Sequence, residues 1–254
     1  MGSYSRTGME RIGRPGRLGC LCVMGFTLLA ISTTTSSAQT PPPSRAEGTT
    51  PSLQDPGLKQ YRAYRRMHAF NERFGQEAWL ECWTEFDQGG FRYDITTERG
   101  SDYVRNKVLR TLLRREQELV ANGQADRADF TAENYEFTQS GVDADGQRYV
   151  ILKPRRKDVL LVDGRIVLNS EGNDVVRLEG KLSKNPSFWT NLVNVIQQFA
   201  RFDGVRVPVS IESVAKLKFA GLSRMDVQYE YETINGRRVN PGRSAMTSSL
   251  SNGR

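Results

Sequence analysis

The run 205–219 constrains the fold more than any other stretch. Val205, Val207, Val209, Ile211, Leu217 and Phe219 alternate with Arg206, Ser210, Glu212, Lys216 and Lys218. A period of two gives an extended strand one dry and one wet face, whereas a helix repeats its faces at about 3.6 residues. The next run repeats the pattern, with Val227, Tyr229 and Tyr231 set against Asp226, Glu230 and Glu232. Hairpin connections, by residue type, fall at Asp143-Ala144-Asp145-Gly146, Asp163-Gly164, Glu171-Gly172-Asn173, Asn185-Pro186, Asp203-Gly204 and Asn235-Gly236. From Asn134 onward the chain therefore reads as an antiparallel meander, with strands over 135–139, 148–153, 159–162, 165–168, 174–182, 191–202, 205–219 and 225–234. Strands as long as 205–219 twist, and a meander of them coils into an open or closed barrel.

Ahead of the meander, Leu58, Tyr61, Tyr64, Met67 and His68 recur at three- and four-residue steps, which predicts a helix over 57–74. A hairpin follows over 78–87 and 91–97, turned by Gln88-Gly89-Gly90. On its first strand Leu80, Cys82 and Phe86 share one side, and Trp79 and Trp83 share the other with Glu81 and Glu85, whose carboxylates are expected in water. Ser101 is the expected cap of a helix over 101–121, with Asp102 at the favourable end of the dipole and Asn122-Gly123 as the stop. Its apolar stripe is Val104, Val108, Leu109, Leu112, Leu113 and Leu119. The other face, Arg105, Lys107, Arg110, Arg114, Arg115, Glu116 and Glu118, reads as solvated.

The chain starts with Arg6, Arg11, Arg14 and Arg17, then an apolar run over 18–31, then Ser36-Ser37-Ala38. That order is a secretory signal peptide over 1–38, cleaved near Ala38/Gln39, and its run is shorter than the roughly 20 residues that span a bilayer. Residues 39–56 and 240–254 hold too little apolar bulk to repay the entropy of ordering, so they read as a linker and a tail around a single domain at 57–239. Cleavage removes Cys20 and Cys22 and leaves Cys82 as a lone buried thiol, so packing rather than a disulfide has to hold the domain. Of the 36 Lys and Arg and the 29 Asp and Glu, four Arg and one Glu precede Gln39, which leaves an excess of four positive charges. That excess is too small and scattered for a nucleic-acid partner.

Two segments, Asp174-Val175-Val176-Arg177-Leu178-Glu179-Gly180 and Phe202-Asp203-Gly204-Val205-Arg206-Val207-Pro208, together with the order helix, hairpin, helix, meander, give the region 58–237 its character. In these the chain resembles the LolA/LolB-like superfamily, the periplasmic lipoprotein carriers of outer-membrane lipoprotein sorting and their relatives, as a divergent member. The resemblance implies an α+β, mainly antiparallel β fold, a strongly curved incomplete β-barrel or half-barrel covered by two or more helices. It also implies a periplasmic carrier of lipid or lipoprotein acyl chains. Leu80, Phe86, Val176, Leu178, Val207, Val209, Val227 and Tyr229 are then expected to line the concave cavity, and Leu109, Leu112 and Leu113 to form its lid. RseB-like regulators share the likeness, so an envelope sensor or interaction domain with a filled half-barrel is the alternative.

No nucleophile elbow, phosphate-binding loop or zinc-binding helix motif occurs, so no catalytic residue is expected and the chain is not expected to be an enzyme. No cofactor or metal is expected: His68 is the one histidine, a single cysteine remains after cleavage, and Asp143 to Gly146 lack the later ligands of a calcium loop. The pair Glu81 and Glu85 reads as two solvated acids rather than an acid/base couple. The basic cluster Lys153, Arg155, Arg156 and Lys157 is expected to be a hairpin loop, with docking of anionic lipid head groups or an acidic partner as its functional reading. The expected partners are an apolar ligand or lipoprotein, and with them another envelope protein or an anionic membrane surface; the domain is expected to be a monomer.

Overall fold

The structure, a computed structural model, describes residues 57–239 with the exception of Asn173. The expected signal peptide, linker and tail lie outside the described residues. In chain order the strands are β1 (Tyr61–Asn71), β2 (Gln76–Asp87) and β3 (Gly90–Gly100), then β4 (Tyr135–Val142), β5 (Arg148–Pro154), β6 (Val162–Leu168), β7 (Val175–Leu182), β8 (Thr190–Phe202), β9 (Val205–Leu217), β10 (Gly221–Ile234) and the short β11 (Arg237–Arg238). They form one antiparallel sheet in the order β3-β2-β1-β10-β9-β8-β7-β6-β5-β4, with β11 beside β10. The sheet is open, with β3 and β4 as its edges. One face of all ten ordered strands feeds a single core, from Phe91 on β3 to Tyr135 on β4. Ten strands spaced about 4.8 Å apart would span too far for one flat layer to share a core, so the sheet curves around it.

The first element differs from expectation: residues 61–71 are a strand, not a helix. Tyr61, Ala63, Arg65, Met67 and Ala69 are buried in alternation with exposed or half-buried neighbours. Between Tyr61 and Met67 the dry face holds only alanine and an arginine, so its two-residue period carries little hydrophobic contrast, and Tyr64 and His68 on the outer side supply a false helical step. Tertiary context settles it, because β1 pairs with β2 on one side and β10 on the other, which brings the first and last long strands of the described residues together inside the sheet.

Asp163-Gly164 is likewise no turn; it lies inside β6, and the expected strand over 159–162 yields only its last residue. Gly164 faces Gly180 on β7, and a Cβ at Gly164 would collide with the Glu179 carbonyl oxygen, so the glycine serves close backbone approach. The dipeptides at Asp203-Gly204 (φ 48° and 84°) and Asn235-Gly236 (φ 48° and 79°) do make the tight two-residue reversals their chemistry favours.

A single helical segment, α1 (102–121), connects β3 to the loop that leads to β4. Ser101 caps it through the Val104 amide, and Gly123 (φ 64°) follows its end. Two α segments, Asp102–Val104 and Arg110–Ala121, flank a π-turn at Arg105–Leu109 in which the Arg110 amide donates to the Arg105 carbonyl. That wide turn shifts the phase by one residue, so Val104 and Leu109, five apart, face the sheet together with Leu112, Leu113 and Leu119. With 61–71 extended, α1 is the long helical segment of the described residues, beside a short 3-10 turn at Ala125–Ala128.

Candidate functional site

The apolar inner face of the sheet under α1 is the candidate site. On β2 it presents Ala78, Leu80 and Cys82, on β9 Val207, Ile211 and Ala215, and on β10 Met225, Val227 and Tyr229, all buried. α1 packs on the β1 to β3 side of this face. Beyond the helix, Phe130 covers the β8 side, edge-on to Phe199 with ring centroids 6.0 Å apart.

The residues expected to line a cavity divide by depth. Leu80, Leu178 and Val207 are 0% exposed, and Val227 and Tyr229 are buried beside them. Phe86 and Val209 are half-buried toward the end of the sheet that holds the start of β1. There Phe86 is tilted against Tyr61 at 6.0 Å, Tyr61 meets Tyr231 edge-on at 5.8 Å, and Phe202 lies 6.1 Å from Tyr231. The inner face thus grades from a dry centre to a half-open aromatic end. Val176 sits at a register shift between β6 and β7, so Val175 takes the buried position and Val176 is half-buried. The expected lid residues Leu109, Leu112 and Leu113 are all in the core, 5% exposed or less.

Sequence reasoning missed the most unusual feature of this interior. Arg65 on β1 is 1% exposed and Glu116 on α1 is 3% exposed, and the two form a bidentate ion pair, Nη1 to Oε2 at 2.5 Å and Nη2 to Oε1 at 2.8 Å. Nη2 also donates to the Tyr61 hydroxyl at 2.7 Å, and the guanidinium lies 4.7 Å from the Tyr229 ring centroid and 5.1 Å from that of Phe91. Its Nε finds no partner among the described residues. Burial alone would weaken the charge on Arg65, but Glu116 outweighs it and holds the guanidinium cationic, its pKa well above the usual range. Glu116 was expected on the solvated face; it is instead the one carboxylate among the buried residues of the helix, turned inward by this pair.

A second buried acid braces the opposite flank. Asp158, 5% exposed, receives Arg127 at 2.6 Å, Arg156 at 3.3 Å and the Leu160 amide at 3.1 Å. Burial pushes its carboxyl up, but the Arg127 hydrogen bond, the Leu160 amide and the two arginine charges together hold it below the ordinary value. The basic cluster is spent partly in the same way: Arg155 donates to the Ala132 carbonyl at 2.7 Å and Arg156 to Asn134 Oδ1 at 2.6 Å, which ties this loop to the one before β4.

Other singled-out residues take ordinary places. His68 is half-exposed and stacked on Trp79 at 4.6 Å. Cys82 is fully buried, and that burial pushes its thiol up to about 12. Asp143 accepts the Asp145 and Gln147 amides through Oδ1, as a turn residue does. Glu85 is solvated beside Arg62, and Glu81 accepts the Tyr64 hydroxyl at 2.6 Å. Among the described residues no group of three or more His, Cys, Asp or Glu side chains could hold a metal ion.

No protein-family profile matches the chain, and comparison with curated proteins finds no match. Among solved structures the chain is similar to a LolA superfamily protein from Nitrosomonas europaea, at 12% identity and a TM-score of 0.35, over 76% of this chain and 92% of that one. It is also similar to a DUF1329 family protein from Desulfovibrio piger, at 10% identity and a TM-score of 0.32, over 67% of this chain and 84% of that one.

Proposed function

We propose that the domain binds an apolar ligand, a lipid or the acyl chain of a lipoprotein, on the inner face of its sheet, and that it does so in the bacterial envelope after export and signal cleavage near Gln39. The observation that carries this reading is the Arg65–Glu116 pair, a fully buried ion pair set among apolar side chains between sheet and helix, whereas the helix's other ion pairs to the sheet, Arg105 and Arg110 with Glu98, lie at the rim of the contact. Such a contact has two favourable states. Closed, the leucines of α1 cover the face and the pair is satisfied. Open, an alkyl chain replaces the leucines, gaining about 0.8 kcal/mol per buried methylene, and a polar head or water takes over Arg65. Entry is favoured at the half-open end by Phe86, Val209 and Tyr231.

The complete burial of Leu80, Leu178 and Val207 supports a second reading, a half-barrel filled by its own side chains that acts as an envelope sensor or interaction domain. A fluorescent fatty-acid probe separates the two. Delipidated protein that takes up the probe at micromolar concentration, and loses uptake in Leu109→Glu/Leu112→Glu with the sheet's far-UV spectrum retained, supports the carrier. No uptake by the wild-type protein leaves the filled domain.

A further inference from the structure

The end of the sheet opposite the half-open aromatic end carries exposed rings that the core does not use. Phe188 is 76% exposed, Phe219 66%, Phe74 60% and Trp189 50%. They stand on three connections, β1–β2, β9–β10 and β7–β8, which emerge side by side because β1, β10, β9 and β8 are successive neighbours in the sheet. A strand spacing of about 4.8 Å sets such turns about 10 Å apart, so the rings form one protruding row. Phe188 meets Trp189 edge-on at 5.4 Å, and Trp189 meets Phe219 at 5.5 Å.

The row is braced. The Lys218 amide donates to the Trp189 carbonyl at 2.9 Å, Arg73 donates to the Phe219 carbonyl at 2.8 Å, and Asn71 donates to the Ala220 carbonyl at 2.9 Å. Within the β7–β8 connection, Asn185 holds the Asn191 carbonyl and Ser187 pairs with Thr190. The rings are therefore held outward by hydrogen bonds rather than left on a loose loop.

Charge decides what such a row fits. Arg73, Lys184, Lys216 and Lys218 are exposed around it, and Lys218 Nζ sits 3.5 Å from the Phe188 ring centroid. Of the acids at this end, Glu72 is paired with Arg224 at 3.0 Å, Asp102 with Arg105, and Glu77 lies 3.4 Å from His68. The basic loop after β5 lies at the same end, joined to the β7–β8 connection where the Ser183 amide donates to the Leu161 carbonyl and the Ser183 hydroxyl to the carbonyls of Arg156 and Asp158. Aromatic rings at protruding tips with lysines and arginines behind them match a bilayer interface, where rings settle at head-group depth and cations meet anionic phosphates.

We propose that this rim, Phe74, Phe188, Trp189 and Phe219 with Lys216 and Lys218, docks the domain on an anionic lipid surface. The rim and the Phe86–Tyr231 end lie at opposite ends of the strands, so this docking and the ligand reading fail independently.

The test is co-sedimentation of the full-length mature protein with vesicles of equal parts phosphatidylethanolamine and phosphatidylglycerol, set beside pure phosphatidylcholine vesicles. Binding to the anionic vesicles is expected, with quenching of tryptophan fluorescence by brominated lipid that disappears in Trp189→Phe. Phe188→Ser/Trp189→Ser/Phe219→Ser should weaken partitioning about tenfold or more, because exposed rings lose their apolar anchorage while the core is untouched. Lys216→Glu/Lys218→Glu should do so by a similar factor and restrict the effect to anionic lipid. Unchanged partitioning in the aromatic variant, with circular dichroism matching wild type, overturns the proposal. So does equal binding to both vesicle types. Absence of vesicle binding, with a dimer at raised concentration that the aromatic variant abolishes, overturns it in favour of a contact between copies of this chain.

Discussion

Replacing Glu116 by leucine should separate the two roles a buried ion pair can play. In Glu116→Leu the volume is nearly kept, but the Arg65 guanidinium, 1% exposed and ringed by Tyr61, Phe91 and Tyr229, keeps its charge and loses its counter-ion. Removing one partner of a buried pair costs about 3–5 kcal/mol, since the remaining charge can neither reach water nor find another anion. For a domain of this size each kcal/mol moves the melting temperature by about 2–4 °C, so the variant should melt about 6–20 °C lower. The double variant Arg65→Met/Glu116→Leu takes both charges away from the apolar interior, and such replacements are commonly neutral or stabilising by about 1–4 kcal/mol. It should melt at or above the wild type. Thermal unfolding followed by circular dichroism measures these three proteins and the single variant Arg65→Met, and the four-member cycle gives the coupling directly. If Glu116→Leu melted within about 2 °C of wild type, the pair would not be desolvated and the placement of Glu116 inside the fold would be refuted. If the double variant is stable yet takes up an apolar probe at a different rate, the pair acts as a latch rather than as ordinary core.

Val207→Asp places a carboxylate where the side chain is 0% exposed and should destabilise by several kcal/mol, whereas Lys216→Asp on the wet side of the same strand should stay within about 0.5 kcal/mol; equal urea midpoints would reverse the face assignment. Asp158 has its folded-state carboxyl held below the ordinary value, so it contributes stability above the unfolded pKa and loses that contribution as pH falls through the folded one. Wild type should therefore exceed Asp158→Asn in stability at neutral pH, and the gap should narrow as the pH drops below about 4; a gap that widens on acidification contradicts the arginine pairing.

The meander was legible because its information is local. At Asp203-Gly204 and Asn235-Gly236 the residue type, the positive φ and the reversal coincide within two residues. Asp163-Gly164 shows the limit of the same signal. Its glycine answers to Gly180 across the sheet rather than to its own backbone turn, and that demand is visible only after β6 and β7 are paired. The helix boundaries were legible through Ser101 and Asn122-Gly123, but the π-turn was not, since Val108 supplies an ordinary four-residue step between Val104 and Leu109 in the sequence; the turn instead buries Val104 and Leu109 and leaves Val108 half-buried.

The buried pair was hidden for a related reason. Glu116 stands three positions after Leu113 and three before Leu119, so it falls on the stripe of α1. A carboxylate on an apolar stripe was a signal that could have been read, because it has to be paired or remain in water. Its partner could not be named from spacing: Arg65 is 51 positions away, and reading 57–74 as a helix removes the two-residue alternation that places Arg65 between Ala63 and Met67. The two misreadings are one error. An arginine on the dry face of β1 lowers the contrast that identifies a strand, and the acid that makes that arginine tolerable looks, on its own helix, like one more solvated charge. Only when β1 is extended do the two anomalies cancel, and the point at which they cancel is a fully buried ionic contact between the sheet and its cover.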